Sequence, residues 1–80
     1  MQGTELRIIF GRRVKARRIE KHLTQQALAD LLGVSQPYIA QVEAGGISAS
    51  IDTFAKFAEA LGTSPSQLVT TEEIFSPIPS

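Results

Sequence analysis

The sequence predicts an all-α fold, a compact five-helix domain, on three observations. Apolar residues recur at helical spacing along the chain, no segment alternates convincingly with period two, and helix-starting and helix-stopping residues fall at short intervals. Eighty residues are enough for one small domain. There is no cysteine, so neither a disulfide nor a thiolate metal site can supplement the core.

Each element has its own local justification. Thr4 is expected to cap a first helix running to about Lys21, with Leu6, Phe10 and Val14 along one stripe and Arg17 and Arg18 continuing it toward His22. Thr24 is a good N-cap for a second helix, "QQALADLLG", which Gly33 ends in the left-handed conformation that glycine takes readily. Ser35 caps a third helix in which Tyr38, Ile39 and Val42 lie three to four apart, and "AGG" ends it at Gly45. Pro37 falls in its first turn, where backbone N–H groups have no intrahelical partner to lose. Ser50 starts a fourth helix, "IDTFAKFAEALG", with Ile51, Phe54, Phe57, Ala58 and Leu61 facing inward and Gly62 as its stop. Ser64, Pro65 and Gln67 form a capping box for a fifth. Residues 1–70 thus read as one domain, and residues 71–80, with two prolines, as a tail.

Net charge is zero, but it is unevenly distributed. Residues 1–22 hold seven Lys or Arg against two acids, whereas residues 23–80 hold one against six. Such asymmetry points to a polyanion-binding face, with a solvated basic helix as the plainer alternative. No apolar run approaches the roughly 20 residues that span a bilayer. At the N-terminus the charges follow the apolar residues, the wrong order for a signal peptide. A cytoplasmic protein with no membrane contact is therefore expected. His22 is the only histidine and lies in a polar turn with no second ligand type at metal spacing. No nucleophile–base pair, phosphate-cradling glycine loop or paired carboxylates assemble either, so no enzyme activity, metal or cofactor is expected.

The second and third helices are separated only by Gly33 and Val34, with Ser35 as cap, which is the spacing of a helix-turn-helix. Ala29 is small where the two helices cross, and Leu28, Leu32, Val34, Ile39 and Val42 are expected to fill the angle between them.

On these residues the chain resembles the phage-repressor (Xre-type) helix-turn-helix family. "LTQQALADLLGVSQPYIAQVEAG" matches the family motif almost position by position, and the resemblance covers roughly residues 6–69. Within the family, "FGRRVKARR…LTQQALA…EAGGISASIDTFAKFAEALG" is most similar to the short controller proteins of restriction–modification systems. The resemblance implies a lambda-repressor-like DNA-binding domain, acting as a homodimer on a pseudo-palindromic operator. It makes the third helix the recognition helix, with Gln36, Pro37, Tyr38 and Gln41 facing bases. A glutamine amide donates and accepts together, which matches adenine N6 and N7. The Pro37 ring would meet a thymine methyl, and Tyr38 a phosphate or the groove wall.

The resemblance also assigns Gln25 to a phosphate; Thr24, which capping alone explains, and Ser35 are secondary phosphate candidates. Arg13, Lys15 and Arg17 are candidates for phosphate contact or for simple solubility. Arg18 and Glu43 correspond to a pair that bridges the first helix to the end of the recognition helix. The chain departs from many family members in its loop "AGGISAS", which carries no charge and leaves Ser48 and Ser50 as phosphate donors. Val69, Ile74 and Phe75 are candidates for the dimer surface or, equally, for the monomer core. No small-molecule effector is expected. Two rival readings stand beside this one: an antitoxin that autoregulates its operon, and a helical interaction module that does not bind DNA.

Overall fold

The computed structural model describes residues 3–47, 50–64 and 68. Four helices follow in order: α1 (Gly3–Glu20), α2 (Gln25–Leu32), α3 (Gln36–Glu43) and α4 (Ile51–Leu61), with no strand among the described residues. None of these helices is long and apolar enough to cross a membrane.

Local chemistry sets the helix ends. The side chains of Thr24, Ser35 and Ser50 accept hydrogen bonds from the backbone N–H of Ala27, Tyr38 and Thr53, satisfying donors that have no partner inside α2, α3 and α4. Gly33 (φ 72°) and Gly62 (φ 68°) stop α2 and α4 in the left-handed region. In each case the following residue donates back into the last turn, Val34 to Ala29 O at 3.0 Å and Thr63 to Ala58 O at 2.9 Å. Pro37 lies in the first turn of α3, where its missing N–H leaves no bond unmade. Thr4 falls inside α1, which begins at Gly3, so it is not the cap of that helix. At the other end of α1, His22 adopts φ 59°, and Leu23 N donates to Arg18 O at 3.1 Å. A histidine thus fills a helix-terminating position that usually takes glycine.

The core gathers one face of every helix: Phe10 and Val14, Leu28 and Ala29, Ile39 and Val42, Phe57, Ala58 and Leu61, closed by Leu68. Phe10 stacks at a tilt on Phe54, ring centroids 4.5 Å apart, and meets Phe57 edge-on at 5.4 Å. Full burial of each large apolar side chain contributes about 1.5–3 kcal/mol relative to exposure. Two expected core residues lie elsewhere. Leu6 is 41% exposed, because the apolar stripe of α1 leaves the core in its first turns, and Val34 is 37% exposed in the interhelical turn. The angle between α2 and α3 is filled by Leu28, Ala29, Ile39 and Val42 with Leu32 packed against them. Apart from Ser64 and Leu68, the expected fifth helix and tail lie outside the described residues.

α3 packs against both α1 and α2. Its approach to α1 depends on Gly11, where an added Cβ would come within 2.2 Å of Val42 O and 2.9 Å of Glu43 O. No side chain can be accommodated between α1 and the end of α3 at that separation.

Candidate nucleic-acid interface

The first residues of α2 and α3 meet. Gln25 and Gln36 each occupy the first position of their helix, and Gln36 Nε2 donates to Gln25 Oε1 at 2.7 Å. Neither helix has an acid in its first turn, so no carboxylate of those turns offsets the partial positive charge of the two N-termini. Backbone N–H groups and two glutamine amides therefore converge where an anion or a polar edge would be received.

Behind the two glutamines lies an ion pair. Arg18 Nε donates to Glu43 Oε2 at 2.6 Å and Arg18 Nη2 to Glu43 Oε1 at 3.0 Å, a bidentate bond between α1 and the last residue of α3. The side chains are only 11% and 4% exposed. Arg18 Nη1 also donates to Leu23 O at 2.8 Å, and Gln25 Nε2 donates to Glu43 Oε1 at 3.0 Å. The hydrogen bond to Glu43 raises the Arg18 pKa above its ordinary value, against an opposing effect of burial. One connected set of bonds thus runs Arg18–Glu43–Gln25–Gln36 through three helices.

The rest of α3 presents a polar outer face. Pro37 and Gln41, four residues apart and so one above the other, are both exposed, with the half-buried Gln36 beside them. Tyr38 is half-buried and its ring packs against the core, which makes it the least available of the four residues expected to meet bases. Thr24 and Ser35 are exposed caps whose oxygens accept a backbone N–H, leaving each hydroxyl proton free to donate. Ser48 lies outside the described residues, as do Val69, Ile74 and Phe75. Ser50 caps α4 and lies 3.0 Å from Thr53 Oγ1.

The basic residues of α1 separate by helical spacing. Lys15 is exposed on the flank next to Arg18, whereas Arg13 and Arg17, four apart, share another flank. Arg17 is paired with Glu20 at 3.1 Å, so part of its charge is already compensated. Lys21 reaches the end of α4, where its ammonium sits close against Gly62 and complements the negative helix terminus. Sequence reasoning overlooked the bond between Gln25 and Gln36 and the seat at Gly11. Their spacing of eleven residues gives the first no local signal, and a lone glycine in a helical pattern gives only a faint one for the second.

Comparison with known proteins places this geometry among transcription regulators. The profile of the helix-turn-helix (HTH_3) family matches residues 14–68. The control protein C.BamHI of Bacillus amyloliquefaciens is 32% identical over 65 residues, which make up 80% of each chain. The immunity repressor of Bacillus phage phi105 is 38% identical over 64 residues, 80% of this chain and 44% of that protein. Among solved structures, the restriction–modification controller C.AhdI from Aeromonas hydrophila superposes with a TM-score of 0.73 at 35% identity, over 78% of this chain and 94% of the controller.

Proposed function

The chain belongs to the Xre-type helix-turn-helix family of transcription regulators, and we propose that it binds a pseudo-palindromic operator as a homodimer in the cytoplasm. Each subunit places the N-terminal part of α3 in the major groove. Gln36, Pro37 and Gln41 meet base edges there, while Gln25, Thr24 and Ser35 hold the phosphate backbone. Half-sites then lie about 34–36 Å apart or a multiple of that, as two-fold dimers of this motif require.

The observation that carries this reading is the bond between Gln36 and Gln25 at the joined N-termini of α2 and α3. It ties a base-facing amide to a phosphate-facing one. Each keeps one N–H unused by the protein among the described residues, and Gln36 keeps its oxygen as well. Phosphate contacts set register and affinity, and base-edge contacts set sequence choice, so the paired glutamines couple the two tasks. Likeness to two controllers at nearly matching length supports a controller-type role, with a phage-type repressor as the neighbouring alternative.

Zero net charge and the uncharged loop after α3 favour one rival, an interaction module without DNA activity. Gel-shift titration against genomic fragments at low salt separates the two. A saturable, sequence-selective complex is the expected result, and its absence overturns DNA recognition.

A further inference from the structure

Glu43 is buried at the end of α3, two turns from the base-facing Gln36, and far from any base in the binding mode proposed above. It nevertheless reaches Gln36 through one intermediary. Because a carboxylate only accepts hydrogen bonds, it compels Gln25 to present its NH2 group, observed at 3.0 Å. The oxygen of Gln25 is thereby turned to Gln36, and an amide oxygen also only accepts. Gln36 must in turn offer its own NH2 group, observed at 2.7 Å. What remains for the groove is the Gln36 oxygen and one N–H, in a fixed order.

Arg18 anchors the sequence of bonds at its other end, since a guanidinium only donates and holds both Glu43 oxygens. Polarity therefore propagates in one direction, from α1 through the end of α3 and the start of α2 to the reading amide. An amide free to rotate by half a turn would offer donor and acceptor in either order. Adenine accepts a bidentate amide in one order only, with its N6 donating and its N7 accepting.

We infer that Glu43 is a specificity-setting positioning residue, which acts through Gln25 to fix the order in which Gln36 presents its acceptor and donor to the bases. This inference rests on the DNA-reading function proposed above. It differs from a purely structural role for the ion pair in its footprint. Loss of polarity affects the one base pair read by Gln36, whereas a displaced α3 affects the pairs read by Pro37 and Gln41 as well.

Selection from a pool of random-sequence DNA duplexes by the full chain, followed by sequencing, tests it. The wild-type protein is expected to enrich one site, and Gln36→Ala to erase the preference at one base pair of each half-site. Gln25→Met and Glu43→Gln are each expected to relax that same base pair by about tenfold, within the range of one bidentate contact, and to leave the other positions selective. Uniform weakening with an unchanged preference at that base pair overturns the inference and leaves DNA reading intact. Relaxation spread over all positions overturns it in favour of a structural role. Failure of the wild-type protein to enrich any site removes both the inference and the function on which it rests.

A measurement on the unaltered protein guards against variants that do not fold. Side-chain amide hydrogen exchange without DNA is expected to be slower for Gln25 and Gln36 than for the exposed Gln41. Equal exchange of all three overturns the relay.

Discussion

Arg18 and Glu43, 25 residues apart in the chain, are joined by two hydrogen bonds of 2.6 and 3.0 Å that fasten α1 to the last residue of α3. Removing one member of a buried pair leaves an uncompensated charge, which costs about 3–5 kcal/mol. Arg18→Leu and Glu43→Ala are therefore each expected to lower the unfolding free energy by about that amount in urea titrations. A loss below about 1 kcal/mol, the usual range for an exposed pair, would contradict the burial of this one.

Gly11→Ala tests the closest approach of α1 to α3. The added methyl would meet the carbonyl oxygen of Val42 at 2.2 Å, and backbone on both sides leaves it no room to turn away. A destabilisation of about 1–3 kcal/mol is expected from overpacking, together with weakened DNA binding as α3 shifts. Unchanged melting and unchanged affinity would show that the helices separate freely.

Glycines of the two turns obey a different rule. Gly33, at φ 72°, has nothing within 4 Å of the site of an added Cβ, so Gly33→Ala meets only conformational strain. A cost of about 1–2 kcal/mol is expected. His22 shows the converse, since it already bears a left-handed φ of 59°. His22→Gly relieves that strain but loosens the unfolded chain, and is expected to raise stability by less than about 1 kcal/mol. Thermal melts of the two variants should therefore shift in opposite directions.

The two glutamines of α3 should separate in their stability effects. Gln41 is exposed, so Gln41→Ala is expected to change stability by less than about 0.5 kcal/mol while reducing operator selectivity. Gln36 is half-buried and bonded to Gln25, so Gln36→Ala is expected to cost about 0.5–1.5 kcal/mol in addition to selectivity. Denaturant midpoints measured beside gel shifts resolve the difference. Equal midpoints would mean that the Gln25 bond contributes nothing.

Much of the fold was legible along the chain because its signals are local. Thr24, Ser35 and Ser50 cap their helices through backbone groups three residues away, and Gly33 and Gly62 end theirs through their own torsion angles. Helical periodicity likewise located Phe10, Val14, Ile39, Val42, Phe57 and Leu61 in the core. The same reasoning went astray for Thr4, Leu6 and Val34. A capping residue type also occurs within helices, and an apolar residue is buried only where another element covers it. His22 shows that the left-handed position need not announce itself by a glycine.

The order of the helices and the two-residue turn with its cap are written in the chain alone, since each depends on neighbours within a few positions, and the polar residues at the start of α3 are read from it directly. That Gln25 and Gln36 meet, that Glu43 holds Gln25 from behind, and that Gly11 lies against the carbonyls of Val42 and Glu43 emerges from the folded molecule. Those contacts depend on how three helices cross. The crossing follows from packing of the whole core, and no short stretch of residues encodes it.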